Sequence, residues 1–441
     1  MSRPVLTALT LLAFLVAGGA AQDGAWREVL EQDYPYLEAL YKHLHANPEL
    51  SFHEQNTAAR LADELRQVGF EVTTGVGGHG LVGVLRNGDG PTLMIRTDLD
   101  ALPVEENTGV PYASKVKTTD EQGKEVGVMH ACGHDVHMTV FTGTARLLSR
   151  LRDRWRGTLV LIGQPAEERG AGARAMLADG LFTRFPRPDF AIALHVNAGM
   201  PAGTIAYHKG YALANVDAVD ILVRGVGGHG AYPHTTKDPV VLAAQIVLAL
   251  QTIVSREIKP IEPAVVTVGS IHGGTKHNII PDEVRLQLTL RSYSDEVREQ
   301  TIAAIKRICH GLAVAAGVPE DRLPVVTVQD EYTPATYNDP DLTERLAQAW
   351  KAVLGADRVR ETEAVMGGED FGQYGRVDPR VPISLFWLGA VEPQRYEASR
   401  KSGEPLPSLH SSQFAPLPEP TIKTGVTAMT AAALELLGSE N

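Results

Sequence analysis

Only two cysteines, Cys132 and Cys309, occur in 441 residues. That is too few for a disulfide framework in a chain this long, so each thiol is read by its own surroundings. A basic excess is missing as well. Lys and Arg number 41 against 53 Asp and Glu, a formal net charge of -12; nucleic acid and anionic membrane both need a concentrated basic surface, so neither is an expected partner. Charged residues make up 21% of the chain and hydrophobic ones 44%. This balance excludes a disordered or fibrous protein and leaves a large core divided between two domains or more. Beyond the N-terminus no run reads as apolar enough to span a bilayer. Two catalytic signatures are also missing: His53-Glu54 is followed by Gln55, Asn56 and Thr57, which fails H-E-x-x-H, and no G-x-S-x-G occurs.

What is present begins with a leader. Residues 1–22 read as an export signal, in which Arg3 precedes an apolar run over 5–17 and Gly18-Gly19-Ala20-Ala21 suits signal-peptidase cleavage. The apolar run is shorter than the roughly 20 residues a spanning helix needs. The mature chain, beginning near Gln22 or Asp23, is therefore expected in the periplasm or outside the cell, without stable membrane association. The hexapeptide Gly-Val-Gly-Gly-His-Gly occurs at 75–80 and again at 225–230, each time matching G-x-G-x-x-G. A dinucleotide site needs a helix opening directly after that motif. The first copy leads into a β-rich run and the second into Ala231-Tyr232-Pro233-His234, so both read as turns.

Hydrophobic period predicts helices over 36–45, 56–68 and 136–151, β-rich runs at 80–85 and 92–97, strand 158–162, helix 172–181 and strand 190–194. This alternation implies an α/β domain around a mostly parallel sheet. The order then changes to strand 218–223, helix 239–256, strands 264–269 and 284–291, helix 295–315 and strand 325–328. That is βαββαβ, the ferredoxin-like unit. With helices 342–354 and 421–437 around strand 383–388 resuming the first pattern, the expected division is a catalytic domain over 23–212 and 333–441 and an inserted domain over 213–332.

In sheets of this kind the ligand sits beyond the carboxyl ends of the strands. Asp98-Leu99-Asp100, Glu167-Glu168 and His195 each follow an apolar strand and should converge there. The densest cluster is His130-Ala131-Cys132-Gly133-His134-Asp135-Val136-His137, which opens a helix. A single histidine is ordinarily a hydrogen-bonded core or surface residue; packing alone needs no such concentration, and the spacing lets Cys132 and His134 face one point as metal ligands. Cys309, inside a helix, reads as a buried small hydrophobe. Adjacent residues of an extended chain point to opposite sides, so one of Glu167 and Glu168 can bind metal while the other faces substrate. His195 is as consistent with the core as with a ligand, and His410 in Ser408-Leu409-His410-Ser411-Ser412 is weaker again.

At these residues the chain resembles the metal-dependent amidohydrolases that include hippurate hydrolase, bacterial N-acyl-amino-acid amidohydrolases of the aminoacylase type and plant indoleacetyl-amino-acid hydrolases. The resemblance runs from about Leu40 to the C-terminus. It is carried by His45-Ala46-Asn47-Pro48-Glu49, Arg96-Thr97-Asp98-Leu99-Asp100-Ala101-Leu102-Pro103, the 130–137 block, Gln164-Pro165-Ala166-Glu167-Glu168, Gly228-His229-Gly230-Ala231-Tyr232-Pro233-His234, Asn278-Ile279-Ile280-Pro281-Asp282, Gly368-Glu369-Asp370-Phe371 and His410-Ser411. It departs at Ser412, where a proline is usual, and over the long polar stretch 391–409. The resemblance implies Cys132, His134, Glu168, His195 and His410 as metal ligands, Glu167 as catalytic base, and homodimers formed through the inserted domain.

The mechanism so implied uses two divalent ions about 3.5–4 Å apart that activate a water for attack on an amide. Zinc, manganese, cobalt and nickel all suit imidazole, carboxylate and one thiolate. His229 would assist the oxyanion, and Asn278 and Arg291 would hold a substrate carboxylate, Arg by its bidentate fork. The substrate class is an N-acyl or N-aroyl amino acid. A dipeptidase or carboxypeptidase on the same scaffold, and a non-catalytic exported binding protein, are the alternatives.

Overall fold

Leu93-Met94-Ile95, Leu159-Val160-Leu161-Ile162 and Ala191-Ile192-Ala193-Leu194 are apolar without alternation, the pattern of strands covered on both faces. All of these side chains are buried. The computed structural model describes residues 8–120, 123–330 and 332–438, with side chains from Trp26 onward. It divides into two compact units, Met1–Gly210 with Asn338–Glu363 and Tyr374–Asn441, and Tyr211–Tyr337 with Ala364–Gln373.

The first unit is built on an eight-stranded sheet. From edge to edge its strands are Glu71–Val76, Gly80–Asn87, Gly157–Gln164, Thr92–Asp98, Phe190–Pro201, Ile383–Val391, Ile205–Tyr207 and Val359–Glu361. The four central strands are mutually parallel. The helices Ala8–Ala46, Gln55–Gln67, His134–Arg150, Pro340–Leu354 and Pro418–Leu437 belong to this unit, and their buried residues share one apolar core with the sheet. The helix expected over 36–45 is much longer and continues through Pro35. Burial of Trp26, Leu30, Leu37, Leu40 and Leu44 offsets the backbone bond that the proline cannot donate. Of the expected leader, residues 1–7 and the side chains through 25 lie outside the described residues. Gly75 to Gly80 forms the turn of the hairpin between Glu71–Val76 and Gly80–Asn87, as a turn reading requires.

The second unit holds an antiparallel sheet ordered Ala264–Gly273, Glu283–Ser292, Asn215–Arg224, Val325–Val328, with helices Pro239–Thr252 and Asp295–Ala315. This is the ferredoxin-like arrangement. Cys309 is buried within its core. The unit's bounds differ from the 213–332 read in the sequence, because Val365 N–H donates to Ala212 O at 3.0 Å, Ala214 N–H to Gly367 O at 2.9 Å and Val216 N–H to Thr333 O at 2.8 Å. The first two of these backbone bonds recruit Ala364–Gln373, a segment whose own sequence carries no strand period, and the third extends the unit past residue 332. A second correction concerns hydropathy. Pro239–Glu257 is long and apolar enough to cross a membrane by length and composition. Residues 239–254 carry no charge, so composition alone qualifies the run; Leu242, Ala243, Ile246, Leu250 and Ile253 pack it into the core of its unit.

Candidate metal centre

Parallel strands end on one side of the first unit, and the chemistry-bearing residues follow them. Asp98 closes one strand, Glu167 and Glu168 follow another in a single 3-10 turn, and His195 lies within a third, paired with Trp387. Cys132 and His134 flank Gly133, the N-cap of helix His134–Arg150. Gly133 has φ 79, and a Cβ there would lie 2.5 Å from Val196 Cγ2; only glycine allows the cysteine loop to approach the sheet this closely. His410, at φ 65, donates its N–H to Ala131 O at 2.9 Å, which ties the C-terminal loop to the cysteine loop.

Cys132 Sγ lies 3.4 Å from His195 Nε2 and 3.3 Å from His410 Nε2. His410 Nε2 is 3.5 Å from Glu168 Oε2, and His134 Nε2 is 3.8 Å from both Glu167 Oε2 and Glu168 Oε1. Among the donor triads with ligand atoms within 4.8 Å of one another, two contain the thiol, Cys132/His134/His195 and Cys132/Glu168/His410, and a further one is His134/Glu167/Glu168. The first two share the thiol of Cys132. The described residues thus bring together all five candidate ligands and Glu167. His410 is the exposed member, its side chain 56% accessible, and marks the mouth of the site.

A layer of hydrogen bonds aims these groups. His134 Nδ1 donates to the Asp100 carbonyl at 2.8 Å and His195 Nδ1 to the Val196 carbonyl at 2.7 Å, so each Nε2 faces the cluster. Such outer contacts fix tautomer and ring orientation. His137, by contrast, spends both nitrogens on the scaffold, Nδ1 on Asp98 Oδ1 at 2.8 Å and Nε2 on the Val196 N–H at 2.9 Å. Asp100 Oδ2 accepts from Ser51 Oγ at 2.7 Å and from the Glu168 N–H at 3.0 Å.

The electrostatics fit a cation. His134 Nε2 and Glu168 Oε1 are buried without a hydrogen-bond partner among the described residues. Burial would pull His134 down, yet Asp98, Asp100 and Glu168 hold it up at about 10. The negative charge that keeps this proton would equally hold a divalent ion in its place, since metal binding displaces protons from its ligands. Burial, then Glu168 and Glu167, push the Cys132 thiol up; a soft cation reverses that by binding the thiolate. Burial lowers His195 well below its usual range and lowers His410, and burial raises Glu168 to about 7.

The other three candidates lie in the second unit. His229 is exposed in the two-residue strand Gly228–His229, which pairs with Ile279–Ile280, and its Nδ1 accepts from Ala231 N–H at 3.0 Å. Asn278 joins it there, its carbonyl accepting from Gly230 N–H at 2.9 Å. Arg291 is elsewhere in the unit, on Glu283–Ser292 opposite Val216 and Val265, with Nη1 buried and unpartnered among the described residues.

Sequence reading noted Asp98 and Asp100 as convergent and His45 as part of a family motif, but assigned a role to none of them. The His45 imidazole bridges Asp135 Oδ2 at 2.6 Å and Glu106 Oε1 at 3.0 Å, with all three side chains buried. The local signals were the motif His45-Ala46-Asn47-Pro48-Glu49 and an aspartate directly after His134.

A thiol shared by a pair of imidazoles and by an imidazole–carboxylate pair, at the strand ends of an α/β sheet, has the donor chemistry of a metal site. The chain belongs to peptidase family M20/M25/M40, whose sequence model matches residues 94–404, and it is a metal-dependent amidohydrolase. It is 37% identical over 416 residues to thermostable carboxypeptidase 2 of Saccharolobus solfataricus, covering 92% of this chain and 98% of that one. It is 35% identical to an N-acetyldiaminopimelate deacetylase of Limosilactobacillus reuteri over 394 residues, 88% of this chain and 95% of the relative. Among solved structures, the Bacillus subtilis YXEP protein, described as a dinuclear metal-binding peptidase of the M20 family, aligns with TM-score 0.74 and 29% identity across 92% of this chain and 99% of that one.

Proposed function

We propose that this protein hydrolyses the amide bond of N-acyl amino acids, releasing a carboxylic acid and a free amino acid, and that it does so after export. The observation that carries the reading is the pair of triads sharing Cys132, with Glu167 beside them, its Oε2 3.8 Å from His134 Nε2. Cys132, His134, Glu168, His195 and His410 would hold two divalent ions. When bound, these supply Lewis-acid polarisation and make water acidic enough to attack near neutral pH. Glu167 takes the proton of the attacking water and returns it to the leaving amine nitrogen as the C–N bond breaks. Arg291 holds the substrate carboxylate and His229 donates to the oxyanion.

Arg291 and His229 cannot serve one small substrate from one chain. Arg291 pairs with Val216 at the start of Asn215–Arg224, whereas His229 follows its end; at ~3.3 Å per residue that strand separates them by roughly 25 Å. A homodimer in which His229 and Asn278 enter the partner's site resolves this. Exposed Leu248, Ile261 and Ile271 in the second unit supply apolar surface for such an interface.

Similarity to a carboxypeptidase favours a second reading, cleavage of a peptide's C-terminal residue. The deciding assay offers N-acetyl, N-benzoyl and indoleacetyl amino acids beside dipeptides and blocked peptides, after reconstitution with zinc, manganese, cobalt or nickel. N-acyl amino acids should be hydrolysed and dipeptides not. Turnover of peptides alone would replace this function with the second one.

A further inference from the structure

A cavity of about 270 Å³ is lined jointly by the stretch 391–409, where the chain departs from the family pattern, and by the loop that follows His410. We infer that it is a second small-molecule site, outside the metal centre, for a monocarboxylic acid with an apolar tail, and that its occupant braces the His410 loop. The choice of occupant rests on the amidohydrolase reading above, since such an acid is what the proposed reaction releases.

The walls are in place without a ligand. Val391, Glu392, Arg395, Leu406 and Pro407 come from the departing stretch, whose helix Pro393–Ser402 buries none of its own residues. Tyr112 stands on the rest of the lining, held edge-on by Tyr41 and His45 with ring centroids 5.7 and 5.1 Å away. Leu417 N–H donates to Ala390 O at 2.8 Å and so ties that side to the strand Ile383–Val391. Little has to be ordered when a ligand enters, which favours binding.

The lining decides the chemistry. Apart from Glu392, Arg395 and Gln413 it is apolar or aromatic. The Glu392 carboxylate caps its own helix, Oε1 accepting from Gln394 N–H at 3.0 Å and Oε2 from Arg395 N–H at 2.6 Å, so both oxygens are directed at backbone. Arg395 is the one cation in the lining, and its guanidinium has no hydrogen bond or ion pair among the described residues. An apolar surface with one unpaired guanidinium fits an apolar acid, whose carboxylate the guanidinium fork can hold. A free amino acid, the other product, would bring an ammonium group beside that cation, and a neutral apolar molecule would leave the cation unused. The volume lies just below the about 300–1,000 Å³ of sites for drug-sized ligands, so the occupant is small.

Phe414 connects this cavity to the metal centre. It lines the cavity, and a Cβ added at Gly133, between Cys132 and His134, would lie 3.4 Å from its Cε1. Phe414 N–H donates to Ser411 O at 3.1 Å and Asn107 N–H to Ser412 O at 2.8 Å, while His410 N–H holds Ala131 O. The loop 410–414 therefore grips the cysteine loop at two points, Ala131 and Gly133. His410 is the exposed ligand and has φ 65, a conformation that its surroundings must hold. An acid packed on Phe414 adds to that hold only while the loop is in place, so acid binding and metal retention strengthen each other by linkage.

The test is calorimetric titration of the metal-loaded protein with octanoate, butyrate and octanamide, for wild type, Arg395→Ala and Leu406→Trp, beside the rate at which a chelator strips the metal. Octanoate should bind more tightly than butyrate, by roughly fourfold for each methylene buried. Arg395→Ala should weaken octanoate by roughly tenfold, the scale of a charge-assisted bond at an exposed rim, and leave octanamide unchanged. Leu406→Trp fills the cavity and should abolish binding of both; if it misfolds, Arg395→Ala on the exposed helix decides alone. Octanoate should slow metal release severalfold in the wild type and much less in Arg395→Ala. An acid held by the metals alone would bind Arg395→Ala as tightly as wild type, which overturns the second site. Equal affinity for octanoate and octanamide overturns the acid as occupant. Absence of octanoate binding also overturns the site, and a dimer broken by Leu406→Trp would then give the surface to a second copy of the chain. The substrate panel tests the amidohydrolase reading separately, because its failure would leave octanoate binding at Arg395 untouched.

Discussion

Glu54 and Ala166 are 112 residues apart, yet Glu54 Oε1 accepts the Ala166 N–H at 2.8 Å. Ala166 sits at φ 49, a left-handed conformation rare for a residue with a Cβ, immediately before Glu167. Holding a non-glycine residue there costs of order 1–3 kcal/mol, so something must over-determine it. Glu54 is part of that restraint, and bonds from Ala171 and Gly172 N–H groups to the Ala166 carbonyl are the rest. Glu54 thus acts as a positioning residue for Glu167.

Replacing Glu54 by Ala should therefore lower kcat by roughly 10²-fold, the cost of about 1 Å of misplacement, with metal content retained. Glu54→Gln keeps an acceptor oxygen and should restore most of the rate. Equal loss in both variants, measured by steady-state kinetics beside metal analysis, would argue that the bond to Ala166 is irrelevant.

His45 supplies the pH dependence. Burial lowers its pKa, but hydrogen bonds to Asp135 and Glu106 and their charges raise it to about 10. Because the folded value lies above the ordinary 6.5, the stabilisation is complete below pH 6.5 and is lost as pH rises through about 10. His45→Gln should cost on the order of 3–5 kcal/mol in acid solution, the price of unpairing buried charge, and the gap to wild type should close above pH 10. Urea unfolding at the two pH extremes measures it; a pH-independent gap would contradict a charged His45.

Cys132 belongs to both triads, so its loss should disturb both metal sites together. Cys132→Ser replaces a soft thiolate by a poor ligand and should fold while losing most metal and activity. Elemental analysis of the purified variant checks this. Full occupancy with normal turnover would remove Cys132 from the ligand set.

Glu167 is expected to act on protons and not on metal. Glu167→Gln should keep its metal content and lose roughly 10²-fold or more in kcat, the scale of general acid–base catalysis. A variant that instead emerges without metal would exchange the roles of Glu167 and Glu168.

His229 tests the dimer. His229→Ala should lower kcat by roughly 10²–10³-fold at unchanged metal content, as expected for loss of an oxyanion donor. Mixing it with Glu167→Gln should restore partial activity, because a hybrid dimer contains one site with both residues intact. Wild-type turnover by His229→Ala ends this assignment. A dead variant that no mixing rescues keeps the donor within its own chain.

Much of this was legible in the order of residues. The uninterrupted apolar runs over 93–95, 159–162 and 190–194 determined a covered parallel sheet, and the 213–332 pattern determined a ferredoxin-like unit, because hydrophobic period is a local property of the chain. The metal cluster was legible for the same reason: Cys132 and His134 are close in sequence, and Glu167 and Glu168 adjoin each other at a strand end. Tertiary structure alone decided the rest. That one thiol serves two triads depends on His195 and His410 arriving from strands and loops far along the chain. The separation of Arg291 from His229 is set by strand register, where each residue of pairing moves a side chain by ~3.3 Å. The hold of Glu54 on Ala166 and of His45 on Asp135 joins residues 112 and 90 positions apart. Hydrogen bonds of fixed length between distant residues exist only after the core has packed, so no pattern along the chain announces them.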